Sequence, residues 1–329
     1  FASKKNKLRM KKIISCFIFF LGIFSSDAQS KWVKIDSLFQ PLPASVHVYK
    51  SSDSLHGKPN VMYYAIADLK DKSLNFTTDT TYKRRLTPTQ FYHKNNEPLL
   101  LVNCSFFSFA TDQNLNVVIK NGKLIGYNEE TIPAKGHDTS TYFHSFFGAF
   151  GISKKRNADV AWIYTDSSKK FAYASQMPIP FFSDSVDRVN LHSIKSNTRD
   201  ESVNFNKWKM KTAIGGGPVL VQNGEIKITN NEERKFGGKA VNNLEPRTAI
   251  GYTKDQKIII LVCEGRSSNA AGLSLVQLSK IFKDLGCVEA LNLDGGGSSC
   301  MLVNGKETNT PSTKGVQRAV PSVFLIERK

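Results

Sequence analysis

From His47 onward the chain is written in short runs of β-branched, aliphatic and aromatic residues separated by turn-forming dipeptides. Runs of this length, bounded by Gly, Asn, Asp and Ser, read as strands. The clearest are 61–67, 99–103, 158–164, 258–263, 288–293 and 320–326. Asn121-Gly122, Asn223-Gly224 and Asn304-Gly305 each stand between two β-prone runs. Asn and Gly accept the positive φ of a two-residue turn, so each pair predicts a hairpin.

Two stretches carry helix signals instead. Thr87-Pro88-Thr89-Gln90 combines a capping Thr, a proline at the first helical position and a Gln placed to close a capping box. Ser274-Leu275-Val276-Gln277 repeats the box, and Leu275, Leu278, Ile281, Phe282 and Leu285 follow as an apolar stripe at helical spacing. Gly286 then supplies the stop. This helix joins run 258–263 to run 288–293, so we expect a β-α-β crossover with the two strands as parallel neighbours. Loops at the carboxyl ends of such strands often carry sites. Here those ends are Glu264-Gly265-Arg266 and Asp294-Gly295-Gly296-Gly297. The fold class is α+β: a strand-rich single domain over 45–329, with several Asn-Gly hairpins, the crossover near its C-terminal end and a lead-in at 29–44.

The N-terminal residues read as an address. Met10-Lys11-Lys12 precedes an apolar run to Phe24, and Ser26-Asp27-Ala28 fits a cleavage site. Residues 1–9 precede the expected initiator, Met10. The run falls short of the ~20 residues of a comfortable membrane span. A cleaved signal peptide with a mature start near Gln29, and a secreted or periplasmic protein without stable membrane insertion, is therefore the expectation; an uncleaved anchor is its rival. Residues 1–28 hold six Lys and Arg against one acid, so setting them aside lowers the net charge from +17 to +12. The remaining basic residues are interleaved with acids. They suit a solvated surface with some pull on anions, and no basic-aromatic array points to nucleic acid.

Cys104, Cys263, Cys287 and Cys300 have neither CxxC spacing nor a His partner at ligand spacing, so no metal or other cofactor is expected. They read either as buried thiols or as one or two bridges. The six histidines form no HExxH-like pair.

Candidate chemistry gathers between Arg247 and Arg318. In Asn292-Leu293-Asp294-Gly295-Gly296-Gly297-Ser298-Ser299 a carboxylate closes a strand and three glycines follow. Such a run allows close backbone approach, and successive N–H groups can cup an anion. No Gly-Lys-Ser/Thr follows, so it is not a nucleotide P-loop. Gly215-Gly216-Gly217 is a second run of this kind. Arg247, Arg266 and Arg318 offer the planar fork that suits phosphate or carboxylate. Asn103 closes an apolar strand, as a turn cap or a ligand contact.

Taken in order, Asn103-x-x-Phe106-Phe107, Gly216-Gly217-Pro218-Val219-Leu220, Pro246-Arg247-Thr248-Ala249-Ile250-Gly251, Gly265-Arg266, Gly272-Leu273-Ser274-Leu275 and Ala290 through Ser299 make the chain resemble the phosphodiester glycosidase family, from about residue 45 to the end. It departs from the family pattern at Glu264, where Asp is usual, at Cys104-Ser105, where small glycines are, and at Cys300, where Thr is. The resemblance implies hydrolysis of a sugar-1-phosphodiester, with a GlcNAc-type sugar first in line and a glycan phosphodiester as partner. It would make Asp294 the nucleophile or the base for water, with Glu264 as second carboxylate. Arg247 and Arg318 would clamp the phosphate, aided by Arg266 and the amides of Gly295, Gly296 and Gly297. Asn103 would orient the sugar, with Asn292, Ser298, Thr248, Gly216 and Gly217 in the wall. Two other readings stay open: a phosphodiesterase cutting P–O, which would usually want clustered metal ligands, and a non-catalytic exported glycan-binding or envelope protein on the same fold. For the latter, Phe143, Phe146, Phe147, Phe181 and Phe182 are either sugar platforms or core.

Overall fold

The computed structural model describes residues 30–133, 140–186, 188, 190–191, 194 and 204–329. The expected signal peptide lies outside these residues. The described chain is strand-rich, with two α-helices and four sheets whose paired strands all run antiparallel.

The first sheet has eight strands, in the order β1 (Val33–Lys34), β2 (Val46–Ser51), β3 (Met62–Asp68), β19 (Lys257–Cys263), β18 (Arg247–Thr253), β20 (Cys287–Asn292), β16 (Val219–Gln222) and β17 (Glu225–Ile226). The second has seven: β14 (Asn206–Trp208), β12 (Ala172–Ser175), β11 (Ala158–Tyr164), β10 (Phe147–Ser153), β15 (Met210–Gly215), β6 (Val118–Lys120) and β7 (Lys123–Gly126). The third has five: β22 (Lys306–Glu307), β21 (Met301–Val303), β5 (Leu100–Asn103), β23 (Ser322–Arg328) and β4 (Leu74–Thr80). A small sheet pairs β13 (Phe182–Asp184), β9 (Tyr142–His144) and β8 (Ile132–Pro133). The turns β6–β7, β16–β17 and β21–β22 each place an Asn and a Gly at positive φ.

The alternation of side chains explains why the strands read as unbroken apolar runs. Ile258, Ile260 and Val262 of β19 enter one central core, shared with Leu100 and Val102 of β5 and Phe150 and Ile152 of β10. Their neighbours Ile259, Leu261 and Cys263 face the other way, onto Leu275, Leu278, Ile281 and Phe282. Those residues belong to α2 (Leu275–Asp284), capped by Ser274 and Gln277 and stopped by Gly286 at φ +78°. On the third sheet, Leu101, Val323 and Leu325 face outward onto Phe91 of α1 (Pro88–Lys94), which Thr87 and Gln90 cap. Both faces of these sheets are thus covered, and a strand buried on both faces needs no polar side.

The expected pairing of the crossover strands is corrected. Helix α2 does join β19 to β20, but β18 lies between them, antiparallel to both. β19 and β20 therefore run parallel without being neighbours. The reason is edge occupancy: β18 and β19 pair as a hairpin and β3 takes the other edge of β19, so β20 can join only at the free edge of β18. The lead-in is also partly structured, since β1 pairs with β2 and Trp32 packs edge-on to Tyr64.

Alternating directions bring several strand ends to one edge. The ends of β19 and β20 lie beside the starts of β18, β3 and β16, with Arg247 opposite Cys263 and Cys263 opposite Met62. The end of β5 and the start of β23 meet there from the third sheet, Asn103 opposite Val323. That edge carries the candidate site.

Candidate functional site

Asp294 leaves β20 and enters the glycine loop, in which Gly296–Ser298 makes one turn of 3-10 helix. Both backbone groups of Asp294 are held by the last residue of β5 and the one after it. Its N–H donates to the Cys104 carbonyl at 2.8 Å, and Asn103 Nδ2 donates to its carbonyl at 2.6 Å. Asn103 Oδ1 accepts from Thr248 Oγ1 at 2.9 Å and from the Cys300 N–H at 3.1 Å. Asn103 is fully buried. Expected to orient a substrate, it instead spends its amide clamping the Asp294 loop to two sheets, and Thr248 is part of the same clamp.

The glycines make room where chains pass closest. A Cβ on Gly216 would stand 2.4 Å from the Asn292 carbonyl, and one on Gly217, at φ +124°, 2.3 Å from Glu233 Oε2. Asn292 Nδ2 donates to the Gly217 carbonyl at 2.8 Å, fixing the start of β16 against the end of β20. Gly295 lies against the Pro246 carbonyl, and Gly296 against the Arg266 guanidinium. Gly297 lies against Arg318, whose Nη2 would be 2.1 Å from an added Cβ. Gly216 and Gly217 thus pack on the end of β20 and on Glu233, whereas Gly295, Gly296 and Gly297 pack on Pro246, Arg266 and Arg318. The Gly296 and Ser298 amides are committed to the carbonyls of Pro246 and Gly295.

Burial pushes the Asp294 carboxyl up from 3.8 to about 6, while Ser298 beside it and the charges on Arg318 and Lys235 draw it back. Asp294 Oδ2, Asn292 Oδ1 and Ser298 Oγ are buried and make no hydrogen bond of full geometry among the described residues, although Ser298 and the Gly295 N–H lie close enough to the Asp294 carboxyl to lower its pKa. Buried polar atoms are nearly always paired, so the unmet oxygens of Asn292, at the end of β20, and of Asp294, in the loop after it, mark a place for a group other than the chain itself.

Lys235 was not legible in the sequence, where Glu232-Glu233-Arg234-Lys235 reads as a solvated charge run. Its ammonium lies 3.7 Å from the Phe106 ring centre and 4.5 Å from that of Phe147. Burial lowers its pKa from 10.5 to about 8, against the pull of Glu233, Asp294 and Glu129. Glu233 anchors the segment, accepting from Gly148 N at 3.0 Å, Val219 N at 2.9 Å, Thr229 Oγ1 at 2.6 Å and Trp162 Nε1 at 3.2 Å.

The remaining expected residues are partly dispersed. Arg247 is buried, and its Nε and Nη2 are tied to the carbonyls of Leu273 and Asn243, each at 2.9 Å. Burial lowers its pKa to about 10. Arg266 pairs with Glu245 at 2.7 Å. Glu264 accepts from the Thr310 N–H at 2.8 Å and lies beside Tyr63. The four cysteines are free and buried. Among the described residues no group of three or more His, Cys, Asp or Glu side chains converges to hold a metal ion. Phe146 and Phe147 are core, whereas Arg234 lies over the Phe143 and Phe181 rings.

This fold, with a carboxylate and glycine wall ringed by cations, corresponds to a known family: residues 152–327 match the family model of the phosphodiester glycosidases, and the chain belongs to that family. Over 107 residues it is 32% identical to the mouse N-acetylglucosamine-1-phosphodiester alpha-N-acetylglucosaminidase, covering 30% of this chain and 20% of that protein. Over 86 residues it is 38% identical to the SPbeta prophage-derived uncharacterized protein YomE of Bacillus subtilis, covering 26% of this chain and 13% of the relative. The matched segments thus span a fifth or less of these relatives' length. Among solved structures, the zebrafish N-acetylglucosamine-1-phosphodiester alpha-N-acetylglucosaminidase catalytic domain, auto-inhibited by its pro-peptide, superimposes with a TM-score of 0.58 at 20% identity, covering 92% of this chain and 89% of that one. A hypothetical protein from Synechocystis gives 0.58 at 15% identity, over 87% and 62%. At these identities the likeness concerns the fold.

Proposed function

We propose that this protein is an exported hydrolase that cleaves the C1–O bond of a sugar-1-phosphodiester, with Asp294 at the reacting carbon. The observation that carries the reading is the Asp294 loop itself: a buried carboxyl with an unpartnered oxygen, within electrostatic reach of Arg318 and Lys235 and followed by glycines that pack on Arg266 and Arg318. With a pKa of about 6 the carboxyl is ionised at neutral pH and can stabilise an oxocarbenium-like centre. The departing group is a phosphate monoester, which leaves with the bonding electron pair and calls for cations more than for a proton. Arg318 and Lys235 supply them, with Arg266 at the rim and Arg247 tying the Asn243 and Leu273 segments together at the start of β18. Water contributes the new C1–O bond, and its proton passes to Asp294 or to solvent. Family membership and the named activity of the mouse relative favour a GlcNAc-type sugar. The apolar run after Met10 supports export. Among the described residues no helix is long and apolar enough to cross a membrane.

The test uses the purified 29–329 chain with α-GlcNAc-1-phospho-methyl diester, its products resolved by mass spectrometry. Free GlcNAc with methyl phosphate is the expected pair. GlcNAc-1-phosphate with methanol would instead mean P–O cleavage. No turnover here or across a panel of sugar-1-phosphodiesters would favour a binding protein. The anomer first released separates the two roles of Asp294: retention means nucleophile, inversion means base.

A further inference from the structure

The outer face of the seven-stranded sheet carries a concavity, at the far end of β10 from the candidate site. Phe147 and Gly148 begin that strand beside Lys235 and Glu233, and Ser153 ends it at the groove. At ~3.3 Å per residue the two are about 20 Å apart. The groove has a volume of about 700 Å³, within the range of ligand sites. Its floor is apolar: Ile119, Leu124, Phe171, Trp208 and Met210. Gly151 makes this floor possible, since a Cβ there would stand 2.6 Å from both the Trp208 ring and Met210 Cγ. Asp159 fixes the indole by accepting from its Nε1 at 2.6 Å.

The rim is of one sign. Lys154, Lys155, Lys170 and Lys209 line it, all exposed. Ion pairs elsewhere on the described surface join Lys257 to Asp255 and Lys283 to Glu225, but none of these four lysines has an acidic partner among the described residues. Lys170 and Lys207 also stand 5.8 Å from the Phe171 ring centre. Four like charges held around one depression attract a polyanion.

We infer that this groove binds an acidic glycan strand, its sugar faces on the recessed apolar floor and its anionic groups on the lysines. The recess favours this occupant over others. Apolar residues sunk below a lysine rim cannot insert into a bilayer, which takes protruding ones. Base stacking needs open aromatic faces, yet Trp208 is buried and Phe171 half-buried under its lysines, which leaves a floor largely of aliphatic side chains, Leu124 and Met210 among them, for the C–H face of a sugar. The choice of a glycan rests on the functional reading above; the groove and its charge do not. The site would hold a polymer about one strand length from the diester being cut.

The probe is polygalacturonate, with uncharged dextran, phosphatidylglycerol vesicles and oligothymidylate alongside, binding being followed by calorimetry on the 29–329 chain. Polygalacturonate should bind, more weakly as salt rises, and dextran should not. Reversing Lys154→Glu, Lys155→Glu and Lys209→Glu together should weaken binding about tenfold or more while leaving turnover of the small methyl diester unchanged; the triple Gln variant should shift it the same way. Absence of binding, equal binding of dextran, wild-type affinity in both triple variants, or tighter binding of vesicles or oligothymidylate would each overturn the proposal. If the wild type binds polygalacturonate but turns over no sugar-1-phosphodiester, the catalytic reading fails and the groove stands.

Discussion

Replacing Asp294 by Asn should make the protein more stable and inactive at once, and the gain should depend on pH in a defined way. Lifting a carboxyl from 3.8 to about 6 makes its ionised form about 3 kcal/mol less favourable in the folded chain than in the unfolded one. The sign follows from proton binding. Below pH 3.8 the group is protonated in both states and contributes nothing. Between about 4 and 6 the unfolded chain ionises first, so wild-type stability falls as pH rises. Above about 6 the full penalty is present. An Asn resembles the protonated acid at every pH and escapes it. The difference between variant and wild type should thus grow from near zero at pH 3.5 to about 3 kcal/mol at pH 7, or about 6 °C in Tm for a chain of this size. Comparing the two proteins at matched pH cancels other buried acids, such as Glu289, whose carboxyl burial pushes up to about 7. The assay is thermal melting from pH 3.5 to 7.5, with diester turnover measured on the same samples. A difference that stays flat across that range, or a variant less stable at pH 7, would refute the placement of a strained carboxylate here. Full turnover in the variant would remove Asp294 from the chemistry.

Further substitutions probe the wall around it. Gly297→Ala drives a methyl into Arg318, a flexible side chain that can swing aside, so Tm should hold while kcat/KM drops about a hundredfold through the cation's displacement; unchanged kcat/KM would place Arg318 outside the site. Gly217→Ala combines a φ of +124° with a clash on the carboxylate of Glu233, and should lower stability by about 2–3 kcal/mol in urea unfolding; an unshifted midpoint would show that the loop relaxes freely. The four thiols of the described chain should be silent to Ellman's reagent in the native state and react in denaturant, with no effect of reductant on Tm. A reductant-dependent Tm would mean that a bridge forms.

What could be read in advance was whatever is decided locally. The capping boxes at Thr87 and Ser274 satisfy their own helix ends within four residues, so both helices begin where the sequence places them. The strand runs were legible because alternation and length are local too. What escaped depends on which edges meet. Nothing near β19 or β20 announces that β18 will divide them. Glu264 and Arg266 are neighbours in sequence, yet Arg266 sits at φ +63°, which turns it away toward Glu245. Asn103 was recognisable as special, but its task of holding a loop 191 residues away appears only once both sheets are in place. Lys235 looked like surface because its aromatic cage comes from Phe106 and Phe147, far away in the chain.

The placement of β23 has a consequence for how the chain is made. Ser322–Arg328 is the central rung between β5 and β4, hydrogen-bonded to both along most of its length. Until those residues emerge at the place where the chain folds, two strands more than two hundred residues earlier stand with open backbone edges. Such edges recruit any extended segment within reach. A chain whose last strand has not yet emerged is therefore open to wrong edge pairing over that interval. In concentrated refolding the protein is also suited to exchange this rung between two molecules, giving a dimer built from native contacts.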